Sequence, residues 1–512
     1  MYFKNNSMSK LEVIAREIDK WLLSQDRAQM VTGEKYYRGD HDILREKRTV
    51  IGDDGKLKEV DNLPDTRIVD NQYARIVDQK VNYSVGNQIT VQSDDKEYQS
   101  AVQEVLDVDF MKAVRVLTTN AFNTSIGWLY PYYSPDGSEK LKFKVFDSTE
   151  ILPFWKDAEH TELDFAVRTY VDEVYEGQES VSKQRVEIYA EEGIYYFDLE
   201  DEGMGIPMLN VSTDFDPFKS YIYKRFTDGK EEKVIPHSWG RIPLIPFKYN
   251  DKEIPLISRV KSIQDALNRI TSNFVNNTLE DPRNSILVVH NYDGEDLGTF
   301  RANLAQYGAV KVRSAEGAKG GVDILTVDLN PENYKAILRQ LKSSLIENAR
   351  GVDSKDEALS SGRANEMNIQ SMYNDIDLDA SSLEREFAVS LNQLMFFVNQ
   401  YLKTKEGIKI KEDSKVEFRF NRDILMNESE KITNFVNSYG RISDETAVAN
   451  HPWVSKDKIE EELERMMDEQ EDELSEFVGK VRDMSQYNDK KKDDRKADIK
   501  NRARQGEDTR GD

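Results

Sequence analysis

The sequence predicts an α+β protein that is mainly helical and consists of more than one structural module. A chain of 512 residues exceeds what one hydrophobic core usually organises. Residues 9–122 and 256–402 repeat apolar side chains at helical spacing, whereas residues 127–249 alternate short aromatic and β-branched runs with turn residues. Hydrophobic residues make up 38% of the chain and charged residues 32%, which indicates sizeable cores and an extensive wet surface.

The composition argues against several functional classes. Cysteine is absent, which excludes disulfides and thiolate chemistry and fits a reducing compartment such as the cytoplasm. No apolar run reaches the roughly 18 residues of a bilayer span, and residues 1–10 lack the apolar core of a signal peptide. The net charge of -24 argues against a protein that mainly grips nucleic acid, because tight binding neutralises phosphates with Lys and Arg. An acidic wall along which DNA slides remains compatible with this charge.

The N-terminal part is predicted to contain three helices. The capping box at Ser9–Glu12 starts a helix that should run to about Met30. A polar stretch at 33–65 is predicted to be a loop. Helices are then expected at Arg67–Val85 and at Phe110–Phe122, where apolar residues recur every three or four positions.

The β-rich part is predicted to be an antiparallel meander. Turn residues at Ser134–Gly137 and Glu191–Gly193 separate neighbouring runs. Strands are expected at Trp128–Tyr133, Leu141–Phe146, Phe165–Val171, Val186–Tyr189, Ile194–Leu199 and Ser220–Phe226.

Two long amphipathic helices flank a small insert in the second half of the chain. The first, Leu256–Glu280, would span about 37 Å and places Val260, Ile263, Leu267, Ile270 and Phe274 on one side. The second has Asn330 as N-cap and Pro331 at its first position, and it should end at Gly351. Its apolar stripe comprises Tyr334, Leu338, Leu341, Leu345 and Ala349. The insert, with strands at Ser285–His290 and Tyr307–Val312, is too small to fold alone and is expected to need identical neighbours.

A still longer helix follows, at about Ala364–Leu402, with an expected length of about 58 Å. A strand is expected at Lys415–Phe420, and helices are expected from Asn427 to about Gly440 and from Ser455 to about Val481. Residues from Ser485 onward are charged and almost free of large apolar side chains, so no regular structure is predicted there.

No motif predicts a catalytic, cofactor or metal site. The five histidines are scattered, and neither an HExxH motif nor a phosphate-binding loop is present. Asp375, Asp377, Asp379 and Glu386 nearly fit a calcium-binding EF-hand loop, but Ala380 stands where that loop requires glycine. Ala380 also belongs to the apolar stripe of the long helix, so these carboxylates are predicted to form a solvated acidic face.

Three cations follow helical spacing opposite the apolar stripe of the second flanking helix: Lys335, Arg339 and Lys342. In an isolated chain they would form a solvated face. If identical helices surrounded an axis, the same residues would form stacked positive rings that meet DNA phosphates.

Four segments and the order of the elements resemble the portal proteins of tailed double-stranded DNA bacteriophages, of the siphophage type. The segments are YYRGD at Tyr36–Asp40, RIVDNQY at Arg67–Tyr73, VDQKVNYSVG at Val77–Gly86 and RIPLIPF at Arg241–Phe247, which directly precedes the first flanking helix. The succession of helix, insert, helix, loop and long helix follows the same family order.

The resemblance implies a portal-like fold with an N-terminal α/β wing, a two-helix stem, a small α/β clip, a long wing helix and a helical crown. The implied boundaries are wing 1–252, first stem helix 253–281, clip 282–328, second stem helix 329–351, tunnel loop 352–365, long wing helix with its returning strand 366–426, crown 427–484 and disordered charged tail 485–512.

The resemblance also implies a ring, typically of twelve copies, at one capsid vertex of the virion. It implies a channel for DNA packaging and ejection, where Lys355 and Arg363 of the tunnel loop join the three stem cations beside double-stranded DNA. The expected partners are terminase, the major capsid and scaffolding proteins, and a head-completion (adaptor) protein, with assembly in the host cytoplasm and no membrane contact. No enzymatic activity or cofactor is expected, since ATP hydrolysis would belong to terminase. The alternatives are another head-to-tail connector or minor head protein without a channel, and a metal-dependent nuclease of the packaging machinery.

Overall fold

A computed structural model describes most of the chain in detail. The described residues are 8–51, 55–59, 63–134, 140–176, 179–201, 207–228, 231–280, 286–290, 321–325, 330–353, 366–406, 408, 410, 414–422, 436–438, 442–449, 451, 453–454, 458–469, 491–492, 494–497 and 499. The chain divides into two compact units: Met1–Asp356 with Met372–Asp423, and Glu357–Ser371 with Ile424–Asp512. Helices and strands are mixed throughout the first unit, which confirms the predicted α+β class.

Two helices, α1 (Met8–Leu22) and α2 (Gln25–Tyr37), replace the single helix predicted to end near Met30. The break occurs because Ser24 has extended backbone angles and its side chain accepts a hydrogen bond from the N–H of Arg27, so it caps a new helix. The predicted loop at 33–65 is wrong in part: it contains the end of α2, a 3₁₀ turn at Asp42–Arg45 and a hairpin of β1 (Thr49–Ile51) with β2 (Leu57–Glu59).

Helix α3 (Gln72–Val85) begins five residues later than predicted, since Asn71 caps it by accepting from the N–H of Ala74. Strand β3 (Thr90–Gln92) follows. Helix α4 (Lys96–Val105) was missed, while α5 (Val108–Thr124) extends the predicted third helix at both ends. Asp95 and Asp107 cap these two helices, as short acceptor side chains commonly do.

The predicted antiparallel meander is confirmed, with more strands than expected. One sheet has the order β14-β4-β5, and a second has the order β10-β9-β8-β7-β6 with β11 pairing β9. The strands are β4 (Ile126–Tyr133), β5 (Leu141–Phe146), β6 (Ile151–Trp155), β7 (Leu163–Glu176), β8 (Glu179–Tyr189), β9 (Ile194–Asp201), β10 (Pro207–Val211), β11 (Phe218–Lys219), the hairpin β12 (Ile222–Asp228) with β13 (Glu231–His237), and β14 (Ile245–Lys248). Helix α1 packs on the second sheet through Ile14, Ala15 and Ile18.

The two flanking helices are α6 (Ile257–Glu280) and α7 (Pro331–Asn348), close to their predicted bounds, and they pack together as a hairpin. Between them, β15 (Ile286–His290) pairs antiparallel with β16 (Gly321–Leu325). The predicted strand at Tyr307–Val312 lies outside the described residues. Asn330 caps α7 as predicted, but the residue in the left-handed conformation after the helix is Arg350 (φ +52°), not Gly351.

The longest helix, α8 (Glu366–Tyr401), matches its prediction and continues into a π-helical turn at Leu402–Glu406. Its stripe from Ile376 to Tyr401 is buried: Ala380, Leu383, Phe387, Leu391, Leu394 and Val398 lie between these ends. Strand β17 (Glu417–Arg419) pairs with β3. The largest core cluster combines residues of α3, α5, α6, α7 and α8 with β4 and β14.

The second unit includes helix α9 (Asp444–Ala449), where Ala447 and Val448 are buried, and helical residues 459–469. The helix predicted from Asn427 falls largely outside the described residues. Within 485–512, where no regular structure was predicted, residues 491–492, 494–497 and 499 are helical and exposed.

Candidate nucleic-acid interface at the α6–α7 hairpin

The three cations predicted on the second flanking helix lie on α7, but they differ in their partners. Lys335 is exposed and its ammonium lies 2.9 Å from Glu332 one turn earlier. Lys342 lies 2.8 Å from the carboxylate of Asp70, which precedes α3. Arg339 is exposed and has no ion-pair partner among the described residues. Lys355 and Arg363 lie outside the described residues, so their prediction stays untested.

The apolar stripes of α6 and α7 face each other, as predicted. The rings of Phe274 and Tyr334 meet at 4.6 Å between centroids. Towards the end of α7 the contact between the helices excludes solvent, since Leu345 and Ala349 are fully buried. Most of α7 outside this last turn is half-buried or exposed. The cations therefore lie on a helix that, in the part of the chain the structure describes, is covered on one side only.

A second stripe on α6 is polar yet buried. It comprises Gln264, Asn268, Ser272 and Asn276, which are spaced four residues apart and at most 3% exposed; we call it the polar stripe. Its oxygens accept backbone N–H groups from the segment before and into α3: Asn276 from Thr66 (2.7 Å), Ser272 from Ile68 (3.0 Å), Asn268 from Asp70 (3.0 Å) and Gln264 from Tyr73 (3.1 Å). Two of the amides also donate back, to the carbonyls of Asp70 (2.7 Å) and Thr66 (3.2 Å).

The spacing of the two partners explains this fit. Four helical residues rise about 6 Å and two extended residues about 6.6 Å, so every fourth side chain of α6 meets alternate N–H groups of residues 66–70. The segment thereby satisfies its backbone without a neighbouring strand. This is why residues 67–71 are not helical, although their sequence predicted the start of a helix.

His41 closes the polar stripe from the other side. Its Nε2 lies 2.9 Å from the carbonyl oxygen of Tyr36, which can only accept, so Nε2 is the protonated nitrogen. Nδ1 then accepts from the side-chain amide of Asn268 at 2.7 Å. Burial lowers the pKa of His41, which agrees with a neutral imidazole in this position.

A buried ionic cluster lies where α3, α6, the end of α7 and α8 meet. We call it the junction: Lys80, Tyr249, Arg259, Arg350 and Asp379. The Asp379 carboxylate receives the ammonium of Lys80 and the hydroxyl of Tyr249, each at 2.8 Å. The guanidinium groups of Arg350 (3.3 Å) and Arg259 (3.7 Å) face its other oxygen.

The charges of the junction are balanced against strong desolvation. Burial lowers the pKa of Lys80 despite the carboxylate beside it. Burial opposes ionisation of Asp379 as well, yet Lys80, the Tyr249 hydroxyl and Arg259 together hold the pKa of this carboxyl below its ordinary value. Removal of Asp379 would leave the buried ammonium of Lys80 without a carboxylate, which typically costs about 3–5 kcal/mol.

The start of the predicted tunnel loop is fastened by α3. The side chain of Gln79 accepts from the N–H of Val352 (3.0 Å) and donates to its carbonyl oxygen (2.9 Å). The ammonium of Lys80 also donates to the carbonyl oxygen of Arg350 at 3.0 Å. Two consecutive residues of one helix thus bind both ends of a three-residue segment.

The prediction of a solvated acidic face at Asp375, Asp377, Asp379 and Glu386 is wrong for Asp379, while the Asp377 side chain is 44% exposed but paired. Asp379 is buried in the junction, and Asp377 binds Arg422 and the hydroxyl of Tyr83. Asp375 is exposed as predicted. Among the described residues, no group of three or more His, Asp or Glu side chains is arranged to hold a metal ion. Their helices also include none that is long and apolar enough to cross a membrane.

The sequence reasoning missed the polar stripe and the fastening by α3. The stripe had a readable signal, because Gln, Asn, Ser and Asn recur every four residues where an exposed helix face would normally alternate charged side chains. Gln79, Lys80 and Asp379 had no such signal, since Gln79 meets Val352 across 273 positions of the chain and Lys80 meets Asp379 across 299.

The chain is similar to known proteins over most of its length. Residues 22–476 match the family described as "Phage portal protein, SPP1 Gp6-like". The chain is 27% identical over 468 residues to the portal protein of Bacillus phage SPP1, a match that covers 91% of this chain and 88% of the relative. It is 25% identical over 461 residues to the portal protein of Clostridium phage phiCD119, covering 88% of this chain and 94% of that one.

A solved structure, "Virion of native gene transfer agent (GTA) particle", contains a chain that is similar at 12% identity with a TM-score of 0.35. The match covers 73% of this chain and 87% of that chain. At this TM-score the similarity supports no conclusion about the fold.

Proposed function

This chain belongs to the SPP1 Gp6-like family of phage portal proteins, and from that premise we propose that it forms a ring around a DNA channel at one capsid vertex. The family is structural, not enzymatic. The observation that carries the proposal is the family match over residues 22–476, a range that includes α6, α7 and α8. The ring takes up DNA during packaging and releases it on ejection.

The division of the fold follows from this assignment. The stem is the α6–α7 hairpin within 253–281 and 329–351, and the clip is the insert at 282–328. The wing comprises residues 1–252 together with α8 and the returning strand β17 within 366–426. Residues 352–365 form the tunnel loop, and 427–484 form the crown. The packed hairpin with a small sheet between its helices supports the stem and clip.

Arg339 is the first candidate among the stem cations for contact with DNA. A phosphate would have to compete with Glu332 for Lys335 and with Asp70 for Lys342. The exposed guanidinium of Arg339 needs no such exchange. In a ring of identical chains a single arginine becomes a circle of charges, and sparse positive charge on a chain of net charge -24 suits DNA that slides past rather than binds tightly.

The partners of the ring follow from its position in the virion. Terminase docks on it and supplies the ATP hydrolysis, and head-completion (adaptor) proteins bind after packaging. The major capsid and scaffolding proteins surround it during assembly in the host cytoplasm. Lys355 and Arg363 in the tunnel loop are proposed as further DNA contacts.

Light scattering coupled to size exclusion tests the ring. Twelve copies of a 59.2 kDa chain give about 710 kDa, and end-on electron-microscopy averages should display a central hole. A protein that stays monomeric or dimeric under all conditions contradicts the proposal and favours a connector without a channel. DNA cleavage with Mg²⁺ or Mn²⁺ that a carboxylate substitution abolishes would instead favour a nuclease.

The channel is tested with assembled rings. Deletion of Asp353–Gly362 should leave the ring intact and impair DNA packaging or retention. Arg339→Gln should reduce the DNA retained in particles, while the matched change Lys335→Gln should reduce it less. Normal packaging by both the deletion variant and Arg339→Gln would contradict the proposed DNA contacts. Loss of the ring in the deletion variant would mean that residues 353–362 are needed for assembly.

A further inference from the structure

We infer that Gln79 and Lys80 are positioning residues of the channel: they hold the backbone of Arg350–Val352 so that the chain leaves the second stem helix in one direction. This inference rests on the proposed function, because it gives these residues a role in presenting the start of the tunnel loop. It concerns the described residues up to Asp353.

The contacts of Gln79 fix both backbone polar groups of one residue, Val352. Its carboxamide accepts from the Val352 N–H at 3.0 Å and donates to the Val352 carbonyl at 2.9 Å. A side chain that binds the N–H and the carbonyl of the same residue imitates a neighbouring strand and fixes the orientation of that residue. Val352 is also 3% exposed, so its side chain is fixed as well.

The backbone conformation of Arg350 gives independent support. Arg350 lies at φ +52°, a region that non-glycine residues rarely adopt. Most helices that end in this way place glycine there, and here Gly351 is the next residue but is not the one in that conformation. The N–H groups of Arg350 and Gly351 bind the carbonyl oxygens of Glu347 (3.0 Å) and Ile346 (2.9 Å), which closes the helix end around this residue. An arginine there still has a steric cost that glycine lacks, and a further constraint offsets it.

The junction supplies that constraint. Lys80 donates to the carbonyl oxygen of Arg350 at 3.0 Å, and Asp379 faces the guanidinium of the same residue at 3.3 Å. Lys80 and Asp379 are themselves paired at 2.8 Å. Arg350 is therefore held at its backbone and at its side chain by two groups that also hold each other.

The origin of these groups explains what the arrangement achieves. Gln79 and Lys80 come from α3 and Asp379 from α8, while Tyr249 and Arg259 connect the cluster to the end of β14 and the first turns of α6. The first stem helix, the end of the second stem helix and the long helix thus all contact the junction. The exit of the chain after α7 is fixed relative to all three.

Hydrogen exchange on assembled rings tests the inference, with the Val352 amide as the direct reporter. We expect Lys80→Met to raise the exchange of the Arg350–Val352 amides at least tenfold, and Gln79→Leu to do the same at Val352. Lys335→Met on the exposed face of α7 is the matched control and should change nothing there. Rings of normal size should form in all three variants.

A second substitution separates positioning from general stability. Gln79→Glu keeps an oxygen acceptor for the Val352 N–H, so the Val352 amide should exchange more slowly in this variant than in Gln79→Leu. Gln79→Leu lacks this acceptor, so a difference between the two variants reports the hydrogen bond to Val352 and not general stability. Exchange that stays slow in both single variants, or that rises equally across the whole first unit, contradicts the inference.

DNA packaging into particles supplies the functional readout. Lys80→Met and Gln79→Leu should lower the packaged DNA, and Gln79→Glu should lower it less than Gln79→Leu. Faster exchange with unchanged packaging would contradict a positioning role in the channel. If the unaltered ring packages no DNA at all, the proposed function fails instead, and the exchange experiment still decides whether α3 holds Arg350–Val352.

Discussion

The two helices of the α6–α7 hairpin look alike in sequence and differ sharply in their surroundings. Each has an apolar stripe of five residues at helical spacing. Helix α6 is held on a second side, where the polar stripe is buried against residues 66–73. Helix α7 has no second buried side until its last turn, at Leu345–Ala349.

The difference teaches that an apolar stripe identifies which faces of two helices meet but not which helix the rest of the fold holds. Attachment of α6 depends on amide and hydroxyl side chains that replace backbone partners, whereas α7 leaves Ile337 and Arg339 open. In the proposed ring, α6 fastens the stem to its own chain and α7 provides surface for neighbours and DNA.

The largest expected effect comes from a charge placed inside the better-held helix. Leu267 is fully buried, so Leu267→Asp should cost at least about 4 kcal/mol and prevent correct folding or ring formation. Ile337→Asp on α7, where the side chain is 48% exposed, should cost about 1 kcal/mol or less. Chemical unfolding and ring size measure both changes. A soluble ring of normal size from Leu267→Asp would show that the stripes are assigned to the wrong faces.

The polar stripe can be broken without adding a charge. Asn268→Leu should lower the free energy of unfolding by about 3 kcal/mol, since it leaves the N–H of Asp70 without an acceptor and removes the donor to His41. The matched change on α7, Gln340→Leu at an exposed position, should stay within about 0.5 kcal/mol. Equal effects at the two positions, measured by denaturant titration, would end the distinction between the helices.

Glu34 on α2, beside α6, should make the free energy of unfolding depend on pH. Helix α2 packs on α6, and burial together with Asp147 and Glu150 raises the pKa of Glu34 on α2 from 4.5 to about 7. Because the folded state binds this proton more tightly, the contribution of Glu34 to the free energy of unfolding is fully present below about pH 4.5 and is lost as the pH rises through about 7.

Glu34→Gln should abolish this loss. It should raise the free energy of unfolding by about 2 kcal/mol at pH 8 and leave it nearly unchanged at pH 4.5. Glu347→Gln, at an exposed site on α7, is the control and should not alter the pH profile. A Glu34→Gln profile that parallels the unaltered protein would show that Glu34 does not titrate in this range.

The smallest effect is expected at the exposed ion pair of α7. Lys335 and Glu332 are 64% and 79% exposed, and such pairs contribute about 0–1 kcal/mol. Lys335→Gln should therefore change the free energy of unfolding by less than about 0.5 kcal/mol. A larger loss would mean that α7 is held more firmly than its exposure indicates.

Strong periodicity made the long helices and the meander predictable. The bounds of α6, α7 and α8 agree with the sequence to within a few residues, because about five to ten consecutive helical turns of pattern leave no other arrangement that buries the stripe. The errors in the predicted bounds of α1, α2 and α3 arise because a capping side chain overrides the apolar pattern. Ser24 and Asn71 each cap a helix where the apolar pattern continued past them.

The candidate site was predictable only in its cations. The positions of Lys335, Arg339 and Lys342 on one helix followed from spacing, but their partners did not. Glu332 is near in sequence, whereas Asp70 meets Lys342 only because the polar stripe holds residues 66–70 against α6.

The sequence by itself determined the order of helices and strands, the faces of α6, α7 and α8 that are buried, and the membership of the chain in its family. Those properties depend on side chains close together in the chain, whose periodicity is visible without a fold. Only the tertiary structure decided that Asp379 is buried beside Lys80, that α3 holds Val352, and that Arg350 takes the left-handed conformation. Each of these requires residues hundreds of positions apart to meet, and a buried charge is stable only where such a partner is supplied.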